Sequence, residues 1–160
     1  MTVLEITLTI AGAAALLSFW IASRVSSLRR RHKVLIGDGG NEALAARMRA
    51  HSNFAEYTPI FLILLGLVEL ARGSSVWLWA AGAVFIVGRI LHVFGMDRPA
   101  LNRFRVAGMM LTALPLLCLA LYAVFIPYEE RAHVRSISYA DAPPAPARTW
   151  SATNGLARRS

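Results

Sequence analysis

Apolar residues in this chain come in long runs, not at the intervals of a helix with one buried face, and four of the runs are long enough to cross a bilayer. A spanning helix needs about 20 mostly apolar residues. The runs at 3–22, 41–71, 75–96 and 106–126 meet that condition. They predict an all-α membrane protein, a bundle of four transmembrane helices within residues 1–127. The breaks between runs carry turn and cap signals. Gly37, Gly39 and Gly40 supply conformations that other residues avoid, and Asn41 is a good N-cap for the second helix. Arg72-Gly-Ser-Ser makes a short hairpin before the third. At 1.5 Å per residue the second helix is about 46 Å long, so its first turns project into the cytoplasmic interface. Pro59 and Pro115 are expected kinks. The pattern ends near Tyr128, and Ala142-Pro-Pro-Ala-Pro-Ala147 cannot hold a regular helix. Residues 128–160 therefore read as an exposed, disordered tail.

Composition agrees with the hydropathy pattern. Mean hydropathy is +0.51 and only 16% of residues are charged, against about 25% in soluble domains. The net charge of +8 is unevenly distributed. Arg24, Arg29, Arg30, Arg31 and Lys33 follow the first span, and Arg98, Arg103 and Arg105 follow the third. Between spans two and three only Arg72 is basic. Under the positive-inside rule this asymmetry puts both termini outside and loops one and three in the cytoplasm. No nucleic-acid docking motif accompanies the charge. The N-terminus lacks a basic n-region and a cleavage site, so the first span is expected to be retained. Cys118, alone in an apolar run, can form no internal disulfide and gets no catalytic role. An Arg- and Ala-rich chain with a single lysine is compatible with a bacterial source and an inner (plasma) membrane location.

The candidate chemistry lies in Arg47-Met-Arg-Ala-His-Ser-Asn-Phe-Ala-Glu-Tyr-Thr-Pro59, at the head of the second span. Placing one arginine at bilayer depth costs roughly 2.5–3.5 kcal/mol even on lenient scales, so polar groups there call for a use. Arg49, Asn53 and Glu56 stand at i, i+4 and i+7 and share a helix face. Arg89 and His92 share a face of span three, and Arg105 stands at the mouth of span four. Together these groups are expected to line a polar cavity in the cytoplasmic half of the bundle. Glu56 could simply neutralise Arg49 or Arg89. Three arginines against one glutamate, however, leave a surplus of positive charge suited to an anionic ligand, and the guanidinium fork matches carboxylates. His51 and His92 have no carboxylate or cysteine at metal-ligand spacing, so no metal is expected. The glycine string is not a phosphate loop, because it lacks the Gly-Lys-Ser/Thr ending.

The stretch Arg49-Ala-His-Ser-Asn53-Phe-Ala-Glu56-Tyr57-Thr-Pro59 resembles the second-helix signature of the MAPEG family, the membrane-associated proteins of eicosanoid and glutathione metabolism. Gly88-Arg89-x-x-His92-x-x-Gly95 and Arg105-x-x-Gly108 extend the resemblance over roughly residues 5–126. It implies a four-helix protomer assembling as a homotrimer, with glutathione as co-substrate between neighbouring subunits. Arg49, Asn53, Glu56 and Tyr57 would hold the tripeptide, Arg89 would support the site, and Arg105 would stabilise the thiolate as the catalytic residue. His92 and Met96 stand where the leukotriene-forming branch has tyrosines, so His92 joins the candidate contacts. The implied activity is that of a glutathione transferase or thiol peroxidase acting on hydrophobic electrophiles. The alternative is a non-catalytic lipid-binding or scaffold protein of the same family.

Overall fold

A computed structural model describes residues 3–98 and 102–140. Its helices are α1 (Glu5–His32), α2 (Glu42–Arg72), α3 (Val76–Met96) and α4 (Arg103–Ala140). Each contains a stretch long and apolar enough to cross a membrane, and the architecture is the four-helix membrane bundle that the hydropathy pattern predicts. Two helices outrun their apolar segments. α1 reaches His32 instead of stopping at residue 22, because no Gly or Pro interrupts 23–32 and the basic side chains of its last turn suit the negative end of a helix dipole. α4 continues through Pro115 and Pro127 to Ala140. Residues 128–140, expected in the irregular tail, are thus helical, and the consecutive prolines that forbid helix begin only at Pro143. Residues 141–160, the rest of that expected tail, lie outside the described residues. The bundle forms one compact unit ending at Pro127, and a second unit begins at Tyr128.

The joints follow from local chemistry. Lys33 closes α1 in the left-handed region (φ 55°), and the Val34 N–H reaches back to the Arg29 carbonyl at 3.0 Å. This is a Schellman-type ending. Gly39 turns the connecting loop at φ 58°, where an added Cβ would press into the Val34 side chain. Asn41 caps α2 as its sequence suggests, its Oδ1 accepting from the Leu44 N–H at 2.9 Å.

The other end of α1 is capped from a distance. Leu4 offers no side-chain cap; Glu69, from the last turn of α2 and only 2% exposed, does the work instead. Its carboxylate accepts from the Ile6 N–H (3.0 Å), the Thr7 N–H (2.8 Å), the Thr7 hydroxyl (2.7 Å) and the Ser74 hydroxyl (2.9 Å). A buried charge on four donors, two of them orphan amides at a helix N-terminus, is fully satisfied.

Between these caps the helices pack on Ile6, Ile10, Phe61, Leu65, Val68 and Phe85. Phe61 and Phe85 stack with centroids 3.8 Å apart. Lipid tails remove the usual hydrophobic drive between helices, so close packing has to come from small residues. At the α3–α4 crossing it does. Gly95 faces the Arg105 backbone and Gly108 faces the His92 backbone, and a Cβ at either would overlap main-chain atoms. Large side chains such as Phe19, Ile63, Leu67 and Leu114 remain exposed on the outside of the protomer, as a lipid-facing surface requires.

Candidate functional site

Arg89 is the centre of the polar interior. It lies on α3 and is 1% exposed. Its Nη2 donates to Asn53 Oδ1 on α2 at 2.9 Å. The guanidinium carbon stands 5.6 Å from the Phe54 ring centroid and 6.0 Å from that of Tyr57. Nε has no hydrogen-bond partner. A buried cation is thus held by an amide oxygen and two aromatic rings, with no carboxylate paired to it among the described residues. The alternative in which Glu56 neutralises Arg89 or Arg49 does not occur in the protomer.

Asn53, Tyr57 and Arg89 share a cavity of about 70 Å³ with Met109, Met110, Thr112 and Ala113 of α4. The other expected site residues are arranged differently. Arg49 and Glu56 are exposed on the outer surface of α2 and pair with no described residue. His92 is buried at the α3–α4 crossing, its Nδ1 unpartnered. Arg105 occupies the first turn of α4, where its N–H donates to Asn102 Oδ1 at 3.1 Å. Asn102 in turn donates through Nδ2 to the Gly95 carbonyl at 2.9 Å. This cap ties the start of α4 to the end of α3 and fixes Arg105, whose Nε is also buried without a partner. The polar groups therefore divide between an interior set, Asn53, Tyr57 and Arg89, and a surface pair, Arg49 and Glu56.

A further polar knot escaped the sequence reading. Asp97, just after α3, forms an ion pair with Arg24 of α1 and lies 3.5 Å from Arg47 Nε of α2. Arg47 Nη1 also donates to the Arg24 carbonyl at 3.2 Å, and Arg24 lies 4.9 Å from the Trp20 ring centroid. One carboxylate thereby ties three helices at the basic end of the bundle. A signal was available: Asp97 is the only acid between Glu69 and Glu129 in the chain. Beside it a cavity of about 400 Å³ is lined by residues including Glu42, Arg47, Asp97 and Arg98.

The arrangement of a buried α3 arginine on an α2 asparagine, with the α4 arginine capped against an α3 glycine, occupies the segments that a family comparison matches. The sequence profile described as MAPEG family covers residues 7–125. The chain belongs to the MAPEG family. Among curated MAPEG-like relatives it is similar to Inner membrane protein YecN of Escherichia coli strain K12, with 34% identity over 118 residues, covering 72% of this chain and 88% of that protein. The protein of the same name from Escherichia coli O6:H1 matches to the same extent. The MAPEG match takes in the α2 signature, the α3 stretch from Gly88 to Gly95 and the start of α4. It ends before the extension of α4 beyond Pro127.

Proposed function

We propose that this MAPEG protein is a homotrimer of the bacterial inner membrane, termini outside, that binds glutathione between subunits and transfers it to hydrophobic electrophiles. The observation that carries this reading is the exposed, unpaired placement of Arg49 and Glu56 on a membrane-spanning helix that also carries Asn53, the partner of buried Arg89. A charge on a lipid-facing surface, as at Glu56, is expensive. A second subunit and a polar ligand remove that expense together. The ligand must offer carboxylates to Arg49 and an amine to Glu56, which a zwitterionic peptide such as glutathione does. Size supports a shared site: the interior cavity of about 70 Å³ holds a couple of water molecules at roughly 30 Å³ each, far less than a tripeptide needs.

Arg105 supplies the chemistry in this reading. A free thiol has a pKa near 8.5, and a neighbouring guanidinium lowers it, so the proton leaves to water. The thiolate sulfur then forms a C–S bond with an electrophilic carbon delivered through the bilayer, either breaking that carbon's bond to a leaving group that departs as an anion, or opening a conjugated C=C bond whose electron pair takes a proton from water. Calorimetry of glutathione with purified protein in detergent tests the site, and absence of binding overturns it. Arg105→Ala tests the chemistry: conjugation of a model electrophile should fall far more than glutathione affinity. Binding with no turnover over a panel of electrophiles would instead favour a non-catalytic lipid-binding role.

A further inference from the structure

The end of α1 where the basic residues gather has a construction that the glutathione site does not use. Ser26, Arg29, Arg30, Lys33, Val34 and Leu35 line an open cavity of about 600 Å³. Arg29 is held in place by donating to the Leu35 carbonyl at 3.2 Å and to Met48 Sδ at 3.3 Å. The side chains of Arg30, Arg31 and Lys33 have no acidic partner among the described residues. Next to this cluster the loop exposes two large aliphatics, Leu35 at 93% and Ile36 at 92%. Their exposure follows from the left-handed turn at Lys33, which throws the chain out of the helix.

We infer that this cavity is a headgroup site for an anionic phospholipid. Depth supports it. If hydrocarbon begins at the Glu69-capped start of α1, a core about 30 Å thick ends near Val25. Arg29 and Lys33 then lie about 6 and 12 Å further along the axis, in and just above the headgroup layer. Charge and depth together select the occupant: guanidinium and ammonium groups with no acidic partner among the described residues, held at and just above headgroup height, match a lipid phosphodiester. The inference stands apart from the glutathione proposal, since it uses none of the same residues.

The test uses full-length protein in neutral detergent, titrated with dioctanoyl-phosphatidylglycerol and dioctanoyl-phosphatidylcholine. Binding of the anionic lipid should be at least tenfold tighter. Arg30→Gln/Lys33→Gln, which changes two exposed side chains and so spares the fold, should abolish that preference. Leu35→Ser/Ile36→Ser, which leaves the basic groups in place, should keep it. Equal affinity for the two lipids, or a preference that survives Arg30→Gln/Lys33→Gln, overturns the site. Displacement of phosphatidylglycerol by equimolar inorganic phosphate would make it a free-anion site. Displacement by a short oligonucleotide would reduce it to general polyanion attraction. Either result also overturns the inference.

Discussion

Arg89 of α3 donates to Asn53 of α2 at 2.9 Å, so the most buried cation of the bundle is held by a neutral amide. Asn53→Ala removes that acceptor and leaves a desolvated guanidinium among aromatic rings. The expected loss of stability is about 1–3 kcal/mol, the cost of an unsatisfied buried group. Arg89→Met removes the cation as well, and the double variant should be less destabilised than the sum of the two single ones. Thermal unfolding of the four proteins in one detergent measures the coupling; strict additivity would show that the two side chains do not support one another.

Arg49 and Glu56 give the opposite profile. They are exposed and make no hydrogen bond or ion pair with a described side chain, so Arg49→Gln and Glu56→Gln should leave helix content and protomer stability almost unchanged. Glutathione affinity should nonetheless fall at least tenfold, or about 1.4 kcal/mol. Calorimetry together with light scattering of the detergent complex reads both affinity and assembly. Wild-type affinity in both variants would remove the surface pair from the site.

Glu69 is a structural residue by the same logic. Glu69→Ala strips four hydrogen bonds and should destabilise by about 2–3 kcal/mol, combining a lost helix cap with orphaned buried donors. Glu69→Gln retains an acceptor oxygen and should lie between alanine and wild type. Glutathione affinity of the folded fraction should stay within about twofold.

The glycines separate into two kinds. Gly108→Ala and Gly95→Ala force a Cβ into main chain at the α3–α4 crossing. They should lower the unfolding temperature and, by shifting His92 or Arg105, reduce conjugation. Gly12 has open space around the added Cβ, and Gly12→Ala should be neutral or stabilising by up to about 1 kcal/mol through helix propensity. Unfolding curves of the three variants check the contrast.

Much of this architecture is legible in the residues, and what is not has a physical reason. Hydropathy runs locate the four helices because the bilayer demands length and apolarity above all else. Asn41 is legible as a cap because capping is local. Helical phasing put Arg49, Asn53 and Glu56 on one stripe, but it could not say that Asn53 turns in toward Arg89 while its two neighbours stay at the surface. That division depends on where α3 sits. Glu69 and Asp97 were passed over for the same reason: each acts on helices distant in sequence, and a single acid in a span or after it looks incidental until its partners arrive. The end of α4 was misjudged because the expected tail took its character from the prolines beginning at Pro143, although residues 128–140 contain no breaker.

The cap on α1 also bears on the order of events during synthesis. Ile6 and Glu69 are separated by 63 positions, so the leading helix enters the membrane well before its terminal amides acquire their acceptor. Until the last turn of α2 arrives, those amides must stay where water can reach them. The N-terminus of α1 therefore lacks its acceptor until the last turn of α2 has been made.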